Sequence, residues 1–144
     1  MKATPLKRRV PLRARHGRGP GAVGLAVVRL VLERDGYLCA CCGRSVIGQP
    51  HTAGYRKLPY AGGTGDPPNM LTFLGLGINP LDPDDHYARI RSRRDPEDAA
   101  RGYCLRPGDD PELVPVVVIS AGGTGVTVWL TRDGRLSFDP PPGA

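Results

Sequence analysis

Three of the four cysteines crowd into one turn, Cys39, Cys41 and Cys42 of the stretch "YLCACCG", and this restricts the fold more than any other feature. Disulfides between adjacent or near-adjacent cysteines are strained, whereas metal chemistry is easy there. The cluster therefore reads as thiols in a reducing compartment, with the Cys39 and Cys42 sulfurs converging over a tight turn that Gly43 permits. A closed tetrahedral zinc site needs two further ligands. The remaining thiol, Cys104 in "RGYCLRP", alternates like a small buried strand residue, and no second cysteine pair follows. His51, Asp85 and Cys41 are conceivable donors that spacing does not select, and a lone free-thiol turn is the competing reading.

The chain around this turn is one small domain. Its 144 residues include 20 glycines and 16 prolines, which impose many turns, short elements and a modest core. Apolar side chains at Val23, Ala26, Val27, Leu30 and Val31 predict a helix over residues 22–35, stopped by Gly36. "YAGGTGDPPN" is too rich in glycine and proline for helix or central strand and reads as a surface loop. A short buried strand follows in "NMLTFLGLG". Asp82 followed by Pro83, and Asp95 followed by Pro96, start two helices over about 83–93 and 96–101. "VPVVVIS", "VTVWLT" and "RLSF" alternate as strands, with Asp133-Gly134 as the last hairpin turn. The two "AGGTG" copies at 61–65 and 121–125 lack the Lys-Ser/Thr of a phosphate loop and read as flexible turns.

Charge is unevenly spread. Residues 1–20 hold seven basic side chains and no acid, which leaves 13 basic against 14 acidic residues over 21–144. The first block, punctuated by Pro and Gly, reads as a disordered arm whose electrostatic match is a polyanion such as DNA or RNA; a solubilising tail is the plainer alternative. No apolar run reaches the roughly 20 residues of a membrane span, and the basic start lacks a signal-peptide core. The expectation is a soluble, cytoplasmic protein with no membrane partner. Residues 140–144 read as a flexible Pro-rich tail.

Taken in order, "VLERDGYLCACCGRSV", a basic segment, "AGG", an Asn before an apolar strand and a His opening a helix resemble the HNH endonucleases, most closely the small ones of bacteriophages and high-GC bacteria. The likeness extends to "RGYCLRPGDDPELVPVVV" and covers about residues 23–139. It implies an α+β fold with a ββα-metal core, an N-terminal helix and a C-terminal β-meander over a domain spanning 21–139. In that family a His closing the first strand activates water, its neighbour and a helix His hold a divalent cation (Mg²⁺, Mn²⁺ or Zn²⁺), and an Asn braces the strand. Asn69 and His86 match the Asn and the helix His. Gly54 and Tyr55 stand where the paired histidines belong, and a phenol of pKa near 10 is a poor base at neutral pH. His51 lies four residues along the strand, about 13 Å away at roughly 3.3 Å per residue. Leu74 or Gly75 and Asp85 replace the second zinc pair, leaving Cys39, Cys42 and His86 as the metal-ligand candidates.

The resemblance thus implies a degenerate HNH protein that keeps an affinity for DNA with little or no phosphodiester hydrolysis. Phosphate contacts are expected from Arg8, Arg9, Arg13 and Arg15 in the arm and from Arg56, Lys57, Arg89 and Arg93. An active metal-dependent endonuclease, or an interaction role beside a phage packaging motor, are the alternatives.

Overall fold

A computed structural model describes residues 23–144. The basic arm, with Arg8, Arg9, Arg13 and Arg15, lies outside the described residues.

Helix α1 (Leu25–Arg34) ends where Gly36 and Tyr37 both take positive φ, which turns the chain into the cysteine segment. Its last residue anchors it. The Arg34 guanidinium pairs with Asp35 and donates to the carbonyls of Pro67 and Met70, while Asp35 accepts the Thr72 amide. These contacts set α1 against an antiparallel pair of strands, β1 (His51–Tyr55) and β2 (Met70–Leu74), in the register Gly54 opposite Leu71 and Tyr55 opposite Met70. Every residue of β2 is buried, as expected of the apolar run that carries it.

After β2 come two short helices, α2 (His86–Ser92) and α3 (Pro96–Ala100). The second starts as its Asp-Pro signal predicts, with Asp95 capping the Glu97 amide. The first does not. Asp85, rather than Asp82, is its N-cap, and Pro83 lies in the preceding turn. The buried Asp85 carboxylate accepts the amides of Gly77, Ile78, Asn79 and Ala88, so one side chain fixes both the loop and the helix start. The chain closes with a meander, β3 (Val116–Ile119), β4 (Gly125–Leu130) and β5 (Leu136–Ser137), and Thr131-Arg132-Asp133-Gly134 forms the expected last turn.

One apolar core joins these parts. Phe73 of β2 stacks on Tyr87 of α2, with ring centroids 5.7 Å apart, and meets Tyr103 edge-on at 5.6 Å. Around them pack Cys39, Val46, Leu71, Leu74, Ile90, Val116, Val128 and Leu130. The meander is tied to the cysteine turn by the Ile119 amide donating to Ala40 and the Tyr103 hydroxyl donating to the same carbonyl. The described residues form an α+β fold, with one two-stranded and one three-stranded antiparallel sheet. Among the described residues no helix is long and apolar enough to cross a membrane.

Candidate metal centre

The cysteine segment is a hairpin-like knuckle. Leu38 and Ser45 bridge across its base, and the amides of Cys42 and Gly43 both turn back onto the Cys39 carbonyl. Gly43 is required there: its φ is 76°, and a Cβ would stand 2.2 Å from the Ser120 carbonyl oxygen. The tight turn pins Cys39 inside the core, fully buried, and leaves Cys41 half-buried beside it.

His86 completes the group. Because Asp85 caps α2, the first helical residue faces the knuckle, with its Nδ1 3.6 Å from the Cys39 sulfur and 3.4 Å from that of Cys41; the two sulfurs are 3.4 Å apart. At ordinary zinc bond lengths, two thiolates on a tetrahedral ion sit about 3.8 Å apart, and a thiolate and an imidazole nitrogen about 3.5 Å apart. The observed triangle matches within a few tenths of an ångström. The Leu74 amide points at the Cys39 sulfur from 3.3 Å, the kind of outer hydrogen bond that orients a metal ligand. The contact between the two sulfurs lowers the Cys39 thiol below the usual thiol range and, with burial, raises that of Cys41.

This is not the donor set expected from the sequence. Cys39 and His86 take part, but Cys41 stands where Cys42 was expected. Cys42 lies beside Arg44, whose guanidinium it holds above its ordinary value. Among the described residues, Cys39, Cys41 and His86 form the one group of three metal-ligating side chains within mutual reach. Asp85 is occupied by amides, and the His51 imidazole is bonded to the Gln49 carbonyl. Cys104 is partly buried in a loop after α3, its thiol donating to the Ile90 carbonyl, and is not part of a strand.

The end of β1 is packed against Tyr87 of α2. A Cβ at Gly54 would sit 2.4 Å from the Tyr87 ring. The Tyr87 hydroxyl accepts the Tyr55 amide, and burial raises the Tyr55 phenol further from neutrality. Asn69 is almost wholly buried and clamps the chain just beyond the strand: its carbonyl accepts the Lys57 amide, and its NH₂ donates to the carbonyls of Lys57 and Thr64.

Two of the expected phosphate contacts are corrected. Arg56 is fully buried and donates to the carbonyls of Gly102, Pro68, Pro111 and Val114, so its charge serves the core. Burial and the nearby Arg34 pull its pKa down to about 9, which leaves it charged at neutral pH. Arg93 ends α2 at a φ of 56° and donates to the carbonyls of Leu105 and Arg56. Both lie too deep in backbone hydrogen bonding to reach a phosphate freely. Lys57 is half-buried and donates to the Asp109 carbonyl. Arg89 is the more exposed of the four. Although burial pulls its guanidinium down, Asp98 and the Cys41 sulfur outweigh that and hold it above its ordinary value.

Position 41 was discernible only as one conceivable donor, since spacing gives the order of the sulfurs and not the direction each takes from the turn. The useful signal was the coincidence of a Cys-x-Cys step with a His in the first turn of a later helix. Searches against protein-family models, curated proteins and solved structures match nothing to this chain.

Proposed function

We propose that this protein binds DNA non-specifically on an HNH-like ββα scaffold held together by one zinc ion, and that it hydrolyses phosphodiesters weakly or not at all. One observation carries the loss of hydrolysis: the Tyr87 ring fills the space that a side chain at position 54 would need. No imidazole can stand there without displacing the core, and the neighbouring Tyr55 is too weak an acid to serve as base near pH 7. His86 meanwhile faces two sulfurs. Thiolates with an imidazole favour zinc over Mg²⁺ or Mn²⁺, which prefer oxygen donors. The ligands must stay reduced, which fits a cytoplasmic setting.

The affinity for DNA rests on the seven basic residues of the first twenty, supplemented by the exposed Arg89, Arg91 and Arg94. Binding of this kind is driven by counterion release, so it weakens steeply with salt and discriminates little between sequences. The test is fluorescence anisotropy on a short duplex across a salt series, alongside incubation with supercoiled plasmid in Zn²⁺, Mn²⁺ or Mg²⁺. Salt-sensitive binding that falls on deletion of residues 1–20, with no nicking, supports the proposal. Nicking abolished by His86→Ala overturns it in favour of a working endonuclease, a second reading favoured by the three-ligand form of the metal centre. Absence of both binding and nicking points to an interaction role, such as one beside a DNA-packaging assembly.

A further inference from the structure

Among the described residues the Cys39–Cys41–His86 centre supplies three ligands, whereas zinc sites that only hold a fold are closed by four. Sites with three protein ligands keep the fourth position for water or an incoming group. The surroundings here are those of an open site. Cys39 is sealed in the core, but Cys41 and His86 are half-exposed, so the triad is dry on one side and wet on the other. The balance of charge adds a preference. Zinc with two thiolates and a neutral imidazole is formally uncharged, and the half-exposed Arg89 guanidinium follows His86 by three residues, on the same face of α2. Asp98 engages one terminal nitrogen of Arg89 at 3.3 Å, while a guanidinium carries five N–H donors in all.

Resting on the reading that this triad holds zinc, we infer that the ion keeps its fourth position open to a small exogenous anion, bound through one donor atom and steered by Arg89. Hydroxide, a carboxylate oxygen and a phosphate oxygen share that chemistry. The ligand enters from the solvent side by displacing water, and no covalent bond within the chain changes. Arg89, on the His86 face of α2, acts as an anion-positioning residue.

The full chain loaded with Co²⁺ in place of zinc tests this, because cobalt reports its ligands in the visible spectrum. A thiolate-to-cobalt band shows that the triad is occupied, and titration with azide, acetate or inorganic phosphate then reads the fourth position and separates the anion types. The expected result is a saturable shift of the cobalt bands with at least one of these anions. Arg89→Ala weakens it about tenfold, the worth of one charge-assisted hydrogen bond, and Arg89→Lys restores part of it. The thiolate band also shows whether each variant still builds the site; if Arg89→Ala does not, the neutral Arg89→Gln decides, and an anion affinity unchanged in it overturns the role of Arg89. A thiolate band that no anion moves overturns the open position while leaving the zinc reading intact. In that event a band altered in Cys42→Ser identifies Cys42 as the group that closes the site. Absence of any cobalt band overturns the zinc reading itself.

Discussion

Replacing Arg56 with methionine separates two roles for the same side chain. As a phosphate contact, its loss would weaken nucleic-acid binding and leave the fold untouched. The structure assigns the opposite outcome. Arg56→Met keeps the length and apolar stem of the side chain but removes the donors to four carbonyls, those of Gly102, Pro68, Pro111 and Val114. A buried acceptor left without a partner costs about 1–3 kcal/mol. Four such losses are partly offset, because the variant no longer has to bury a cation. The net destabilisation is about 3–5 kcal/mol, a large share of the roughly 5–15 kcal/mol that holds a small domain together. With a urea dependence of about 2 kcal/mol per molar, the midpoint of unfolding falls by about 2 M. Arg91→Met, on the exposed face of α2, shifts it by less than about 0.3 M, since surface changes stay within roughly 0.5 kcal/mol. Urea unfolding followed by the fluorescence of Trp129 measures both. An Arg56→Met protein that unfolds at the wild-type midpoint yet loses affinity for a DNA duplex would refute the reasoning.

Three further substitutions probe other parts of the account. Asn69→Ala strips partners from the Lys57 amide and from the carbonyls of Lys57 and Thr64, and lowers stability by about 2–4 kcal/mol in the same unfolding assay; an effect under about 0.5 kcal/mol would remove Asn69 from its bracing role. Gly54→Ala drives a methyl into the Tyr87 ring and costs about 1–3 kcal/mol of overpacking, recovered in part when Tyr87→Ala is added; independent effects of the two changes would contradict the contact. Asp98 is held above the ordinary carboxyl range by burial, against the opposing pull of Arg89, and one of its oxygens has no hydrogen-bond partner. Its protonated form therefore adds stability that is complete below the ordinary value of about 3.9 and is lost as pH rises through the raised folded value. Comparison of melting temperature against pH shows this component in the wild type and not in Asp98→Asn, and identical profiles would exclude it.

How much of this was legible in advance depended on whether the signal was local. The helix over residues 25–34, the turn at Gly43, the Asp95-Pro96 start of α3 and the Asp133-Gly134 turn rest on contacts within a few residues, and each was readable from spacing. Asp85 outcompeted Asp82 as the cap of α2 because its carboxylate also collects the loop amides of residues 77–79, an advantage that appears only when the loop folds back. Arg56 looked like a surface cation because it follows a strand and precedes a lysine; its four acceptors lie 12 to 58 residues away in sequence. The place of Cys41 in the candidate site was hidden for a related reason, since adjacent residues in a tight turn point in different directions and only the approach of α2 decides which sulfur His86 meets.

The central claim is that Cys39, Cys41 and His86 together hold a zinc ion. Elemental analysis of the purified full chain, compared with Cys41→Ser and Cys42→Ser, tests it most directly. The account requires about one zinc per chain in the wild type and in Cys42→Ser, and loss of the metal in Cys41→Ser. A wild-type protein without zinc, or one whose zinc survives Cys41→Ser and disappears in Cys42→Ser, would contradict it.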